Sequence, residues 1–339
     1  MGRLKSNKTE TIVGLDIGSY SIKSVEVIRT DAGIELHRAV VLPVQRDEDL
    51  KQILQQMKLS PASRVRAALS GPSIIIRRIS MPLLSSRELQ SAIRFEAESH
   101  IPFSIEDCIL DYQVLSQDSA KKEMSILLVA AKRDLVEARY KLLSEAGIYP
   151  ELMDLDIFCL VNAFEVLSPG EREKSFGLLN IGHRVSSFAI IHEGLPSFVR
   201  EISMGGFQVT EALMSAKGCT EAQADEIKMK KPAEETEVLK SATRKGFEPL
   251  FEEIRHSIDY VENEIKDELK MLYISGGGAL ATGVSDFLTE DIGRPVLFWD
   301  NTQKMQLLKN VDDQFMKDHS MELNVALGMT LRELGASRK

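Results

Sequence analysis

Three cysteines in 339 residues, Cys108, Cys159 and Cys219, are too few and too widely spaced for a disulfide framework. Any pairing leaves one thiol over, so a reducing compartment is expected. There is no H-E-x-x-H and no close Cys/His spacing among the six histidines, which excludes a zinc site of recognisable pattern. Long hydrophobic runs are missing too. The longest, "ILLVAA" at 126–131, is far short of the ~20 residues a spanning helix needs, and no apolar signal segment is read near the start. The expectation is a cytoplasmic chain with no membrane span of its own. Positive charge is also scarce. Against 51 Asp and Glu stand 42 Lys and Arg, and the net charge of −9 argues against nucleic acid as a partner. No Walker loop, no G-x-G-x-x-G fingerprint near the first strand and no G-x-S-x-G elbow occurs, which removes P-loop, dinucleotide-binding and serine-hydrolase readings.

What is present begins at "LDIGSYSIKSVEV", residues 15–27. Two apolar runs flank a turn in which Gly18 can adopt a positive φ, the pattern of a β-hairpin. Asp16, Ser19, Ser21 and Lys23 are more polar equipment than a turn needs. The pattern recurs in the second half as "LNIGHRVSSFAII", residues 179–191, with Asn180 where Asp16 stands and Gly182 in place of Gly18. Two such turns facing one another would clasp a phosphate chain: backbone amides bind anions, hydroxyls donate, and an acid holds the accompanying metal. Two unrelated hairpins rich in Asp, Asn and Gly would read the same way. A third feature is "YISGGG", which ends an apolar strand in Gly276, Gly277 and Gly278 before a helix that stops near Gly293. Glycines there let a ligand approach the backbone closely.

Taken in order, these elements resemble the actin-like ATPase superfamily. Residues 15–27 match its first phosphate motif, 178–191 the second and 273–283 the adenosine motif, while "PELMDLDIFCLVNAFE" at 150–165 matches the connecting strand and helix. Between residues 65 and 131 the chain reads as two strands, an amphipathic helix capped at Ser85 or Ser86, and two more strands. Its string "RFEAESHIPFSIEDCILDYQVL" closely resembles the PilM family of type IV pilus assembly. The resemblance implies an α/β, actin-like (ribonuclease H-like) two-domain fold with a small inserted α/β subdomain of the FtsA/PilM type. The expected division is a flexible tail at 1–10, a first subdomain at 11–80 and 146–175, the insert at 81–145, and a second domain at 176–335 with a helical adenosine-side subdomain at 211–270.

The same resemblance implies ATP and Mg²⁺ as cofactors. Gly18, Ser19, Ser21, Lys23, Asn180 and Gly182 would hold phosphates, with Asp16 ordering the waters around Mg²⁺. The Gly-Gly turn at Gly205 and Gly206, then Asp225 and Lys228 from the "ADEIK" element, and Gly276 to Gly278 would surround adenosine; an Asp stands at 225 where the family has Glu. Asp156 would position the attacking water or else cap the connecting helix. Asn180 in place of a second acid implies slow or absent hydrolysis, with ATP acting as a conformational ligand. The implied partner is the cytoplasmic tail of a PilN-like inner-membrane protein, along with other pilus platform proteins, leaving the chain peripheral at the inner membrane; a homo-oligomer stays open. A sugar-kinase-like phosphotransferase and a GspL-like type II secretion component are the competing readings. The charged run "KKPAEETEVLKSATRKG" at 230–246 is expected to be a solvated connection.

Overall fold

The computed structural model describes residues 10–30, 33–44, 49–59, 63–168, 175–300, 306–307 and 311–336. The flexible tail expected at 1–10 lies, but for Glu10, outside the described residues. The first sheet is built from β1 (Glu10–Ile17), β2 (Ser21–Thr30), β3 (Gly33–Pro43), helix α1 (Leu50–Gln56) and β4 (Arg64–Leu69). The run "VGLDI" in β1 is buried on both faces, as a central strand covered on both sides requires. It pairs antiparallel with β2 and parallel with β4.

The chain then leaves for a separate three-stranded sheet made by β5 (Ile74–Pro82), α2 (Ser86–Ala97), β6 (Cys108–Asp118) and β7 (Glu123–Lys132), in the order β5-β7-β6. Ser85 caps α2 in a reciprocal capping box with Glu88, and Leu89, Ile93 and Ala97 turn one face onto the small sheet. Lys132 N–H donates to Ser73 O at 3.0 Å, so the insert enters and leaves at one point. Next, α3 (Arg133–Glu145) returns to the first core, where Leu143 is buried, and β8 (Leu152–Leu155) completes the parallel side of the first sheet beside β4. Helix α4 (Asp156–Leu167) follows at once.

The second sheet has the order β11-β10-β9-β12-β13. It is formed by β9 (Phe176–Ile181), β10 (Ser186–His192), β11 (Leu195–Ile202), then helices α5 (Gly206–Lys217), α6 (Glu221–Lys230) and α7 (Thr236–Ile265), then β12 (Met271–Ser275), α8 (Val284–Ile292) and β13 (Val296–Phe298). The short β14 (Gln306–Leu307), α9 (Asp313–His319) and α10 (Asn324–Ala336) are the last elements among the described residues. Here α10 crosses back to lie against β1 and α4, and a Cβ on Gly328 would come 1.9 Å from Cys159 O. Only glycine permits that approach.

Three expectations about organisation change. The insert spans 74–132, because β5 pairs with β7 and α3 packs elsewhere; two consecutive strands in a sequence do not declare whether they share a sheet. The second domain ends before α10, whose apolar faces complete the first core. The charged run at 230–246 is largely helix: α7 begins at Thr236, and Leu239, Ala242, Thr243 and Gly246 recur at helical spacing on its buried side beneath a charged outer face.

Candidate functional site

The β1–β2 and β9–β10 hairpins are the same device twice. In the first, Gly18 N–H donates to Ser21 O at 3.2 Å; in the second, Gly182 N–H donates to Val185 O at 3.1 Å. Two residues before each glycine stands a polar side chain with a fixed cross-strand partner. Asp16 lies opposite Lys23 and forms a 3.3 Å ion pair with it, both side chains mostly buried. Asn180 lies opposite Ser187, and its Oδ1 accepts from Ser275 Oγ at 3.4 Å. Where the first hairpin pairs an acid with a cation, the second therefore pairs two neutral groups. An Asp at 180 would face no cation across the strand pair.

The turn tips meet. The Tyr20 ring lies 4.9 Å from the His183 ring, and Tyr20 Oη donates to Met229 Sδ at 3.5 Å. His183 packs edge-on against Phe207, whose face carries Arg184 at 4.2 Å. Burial, with Lys228 and Arg184 nearby, pushes the His183 imidazole down to about 4, so its ring is neutral at neutral pH. Ser19 is exposed at the first tip, whereas Ser21 is buried at its base.

Near the base of the first turn lies Asp156, within reach of the charges of Asp16, Arg139 and Lys23. It is the first residue of α4, not its cap: Leu155 holds the N-cap position, and the Asp156 side chain bonds Ser70. Burial foremost, then the negative charge of Asp16, pushes its carboxyl up to about 7. Arg139 on α3 opposes that shift, its charge acting on both Asp156 and Asp16, while its Nη1 donates to Ile17 O at 3.1 Å. Behind this floor, Glu201 on β11 accepts from Gly71 N–H at 2.7 Å, and burial pushes its carboxyl up to about 8.

The residues expected near adenosine form one packed unit. Gly206 and Phe207 N–H donate to Gly182 O and His183 O, both at 2.8 Å, and Gly205 N–H donates to Gln208 Oε1 at 2.7 Å. The Gly206 and Phe207 amides hold the second turn, and the Gly205 amide is taken by the Gln208 side chain. Lys228 Nζ donates to Gly206 O at 3.2 Å, Thr210 Oγ1 at 2.5 Å and Asp225 Oδ1 at 3.2 Å, tying α6 to the first turn of α5. Gly276, with φ +87°, and Gly278 close the glycine turn against Ile181, where added Cβ atoms would come to 2.5 Å. Gly277 borders Glu322.

Thus Asp16, Gly18, Lys23 and Asp156 gather on one wall, and Asn180, Gly182, Gly205, Gly206, Gly276, Gly278, Asp225 and Lys228 on the other. Arg139, Ser70 and Glu201 were not legible. Each comes from an element whose own pattern is accounted for by helix, strand or turn, and only the tertiary fold brings Arg139 and Ser70 to Asp156 and sets Glu201 behind them. Tyr20 stands inside the quoted motif, but its reach across the cleft has no sequence signal.

The comparisons follow this geometry. A solved PilM–PilN type IV pilus biogenesis complex contains a chain 24% identical, with a TM-score of 0.83 over 96% of this chain and 98% of that one. Ethanolamine utilization protein EutJ from Carboxydothermus hydrogenoformans is 14% identical, with a TM-score of 0.54 over 95% and 89%. MreB5 of Spiroplasma citri bound to AMPPNP is 10% identical, with a TM-score of 0.52 over 98% of each chain. These likenesses establish the actin-like ATPase fold. A family model described as type IV pilus assembly protein PilM matches residues 14–334, a span that holds both hairpins, the glycine turn and the inserted layer, and the chain belongs to the PilM family.

Proposed function

We propose that this pilus assembly protein is a nucleotide-responsive adaptor, in which ATP with Mg²⁺ is held between the two hairpins and stabilises one angle between the halves. The observation that carries this reading is the pair of turns in matched register, facing one another above the carboxyls of Asp16 and Asp156. The residues fit the ligand. Lys23 lies over the first turn, close to Gly18, where a phosphate needs a cation. Asp16 and Asp156 are hard oxygen donors. Among the described residues no group of three or more His, Cys, Asp or Glu is placed to hold a metal alone. That suits Mg²⁺, which keeps its waters and takes one or two carboxylates together with nucleotide phosphates.

Turnover is slow on this reading. The Asn180–Ser187 pair leaves the second turn without an acid, and Asp156, raised to about 7, is only partly available as a base at neutral pH. Ligand-driven closure needs no turnover, since differential affinity for the closed state is enough. The inserted layer docks the cytoplasmic tail of a PilN-like membrane protein, which places the chain at the inner membrane through that partner. Among the described residues no helix is long and apolar enough to cross a membrane.

Calorimetry with ATP, ADP and a non-hydrolysable analogue tests the first claim; a folded preparation that binds none of them ends it. For the second, a short linker from Ser73 to Lys132 removes the insert while sparing α3 and Arg139. The trimmed chain should lose binding to a PilN-like N-terminal peptide and still bind nucleotide. Unchanged peptide binding would move the docking surface elsewhere.

A further inference from the structure

One two-residue stretch is held from both halves of the molecule. Ser70 and Gly71 follow the last residue of β4, and the turn they begin, closed by Ile74 N–H to Gly71 O at 3.1 Å, launches the first strand of the insert. From the first domain, Asp156 bonds the Ser70 side chain. From the second domain, Glu201 Oε2 accepts from Gly71 N–H at 2.7 Å. Gly71 has φ +141°, a backbone conformation that other residues adopt rarely, so the direction of its amide depends on glycine. The last residue of the insert is tied to the same turn through Lys132 N–H and Ser73 O. A displacement of Ser70–Gly71 therefore carries the insert as a body.

Glu201 is a costly choice if cohesion alone were required. Its Oε1 is buried and has no hydrogen-bond partner, and a half-satisfied buried carboxyl is worse for stability than an apolar side chain of the same size. What it supplies is one directional acceptor, on the edge strand of the second sheet that lies beside β5, aimed at the root of the insert.

We propose that Glu201 is a coupling residue: through the Gly71 N–H it fixes the inserted layer to the second domain, so that closure of the cleft above Asp156 and Ser70 re-aims the insert's docking surface. This rests on the reading of the cleft as a nucleotide site. The two sites share one lever at Ser70–Gly71, with Asp156 on the ligand's side of it and Glu201 on the side that senses the angle between domains. Such a shared element, biased from two sites, is what an energetic coupling requires.

Hydrogen–deuterium exchange on the full chain, with and without a non-hydrolysable ATP analogue and Mg²⁺, reads the coupling in peptides covering 64–82 and 123–132. In the natural chain the analogue should change exchange in both. Glu201→Met keeps the volume and removes the acceptor; it should bind the analogue within about threefold of the natural affinity while the insert's response falls by about fivefold or more, the lower end of common coupling factors. Glu201→Gln retains an acceptor oxygen and should keep most of the response. If Glu201→Met does not fold, Glu201→Ala is read in the same way. A full response in Glu201→Met or Glu201→Ala overturns the proposal, as does a natural chain that binds the analogue without any change in the insert. A natural chain that binds no analogue instead overturns the nucleotide reading beneath it, which calorimetry reports separately.

Discussion

At position 180 an amide stands where the first hairpin has an acid, and its cross-strand neighbour, Ser187, is neutral as well. Lys23 neutralises Asp16 across the first hairpin, whereas Ser187 offers Asn180 no charge across the second. Asn180→Asp alone should lower stability by roughly 1–2 kcal/mol, and adding Ser187→Lys should recover most of it. A double-mutant cycle by urea denaturation measures the pair, and additivity would show that the register match has no energetic content. Protonation gives a second residue-scale prediction. Asp156 and Glu201 are raised to about 7 and about 8, so from the ordinary carboxylate range up to those values the folded chain retains protons that the unfolded chain has released. Their contribution to stability is full in acid and is lost as pH rises through 7 and 8. His183 acts in the opposite sense, being lowered from 6.5 to about 4, and costs stability only as pH falls through that interval. Of these three groups, then, the two carboxyls alone set the slope between about pH 6.5 and 8. The denaturation midpoint should fall across that window, and Glu201→Gln should flatten the decline.

Helix α10 shows what an element can depend on. Its Gly328 lies against the Cys159 carbonyl, and Gly14 of β1 meets Ala326 O just as closely, with an added Cβ at 1.9 Å in each case. Gly328→Ala must push α10 off α4, and overpacking of this kind costs about 1–3 kcal/mol or more. Thermal unfolding should register a clear loss, while an unaltered midpoint would mean the helix docks loosely. The two hairpins were legible in the sequence because strand alternation and turn chemistry are local, and α2 because its cap and its apolar face are both written within a dozen residues. Sheet membership is not local. β4 and β5 read alike, yet one joins the first sheet and the other the insert. Likewise the first part of α7 is charged on its outer face, and its buried positions come into view only once the second core is there to receive them.

Across the whole molecule, the cleft is closed by contacts that belong to neither half alone. Tyr20 reaches from the first turn to His183 and Met229 of the second domain, an aromatic contact of the kind worth about 0.5–1.5 kcal/mol. If the proposed nucleotide site is right, Tyr20→Ala should speed nucleotide association by a few fold, measured by stopped-flow fluorescence, as expected when a cross-cleft contact of that size is removed. The overall architecture was legible through the order of the turns along the chain; its closure was not, because it depends on side chains that meet only across the folded cleft. The path of the chain has one more consequence. Because α10 completes the first core and its residues are among the last described, a chain still on the ribosome can assemble the insert and the second sheet while the wall that carries Asp16 and Asp156 lacks its backing. Synthesis therefore sets a clock on competence. A nascent or prematurely terminated copy that lacked α10 would carry the residues of the insert and the second sheet without the helix that backs β1 and α4.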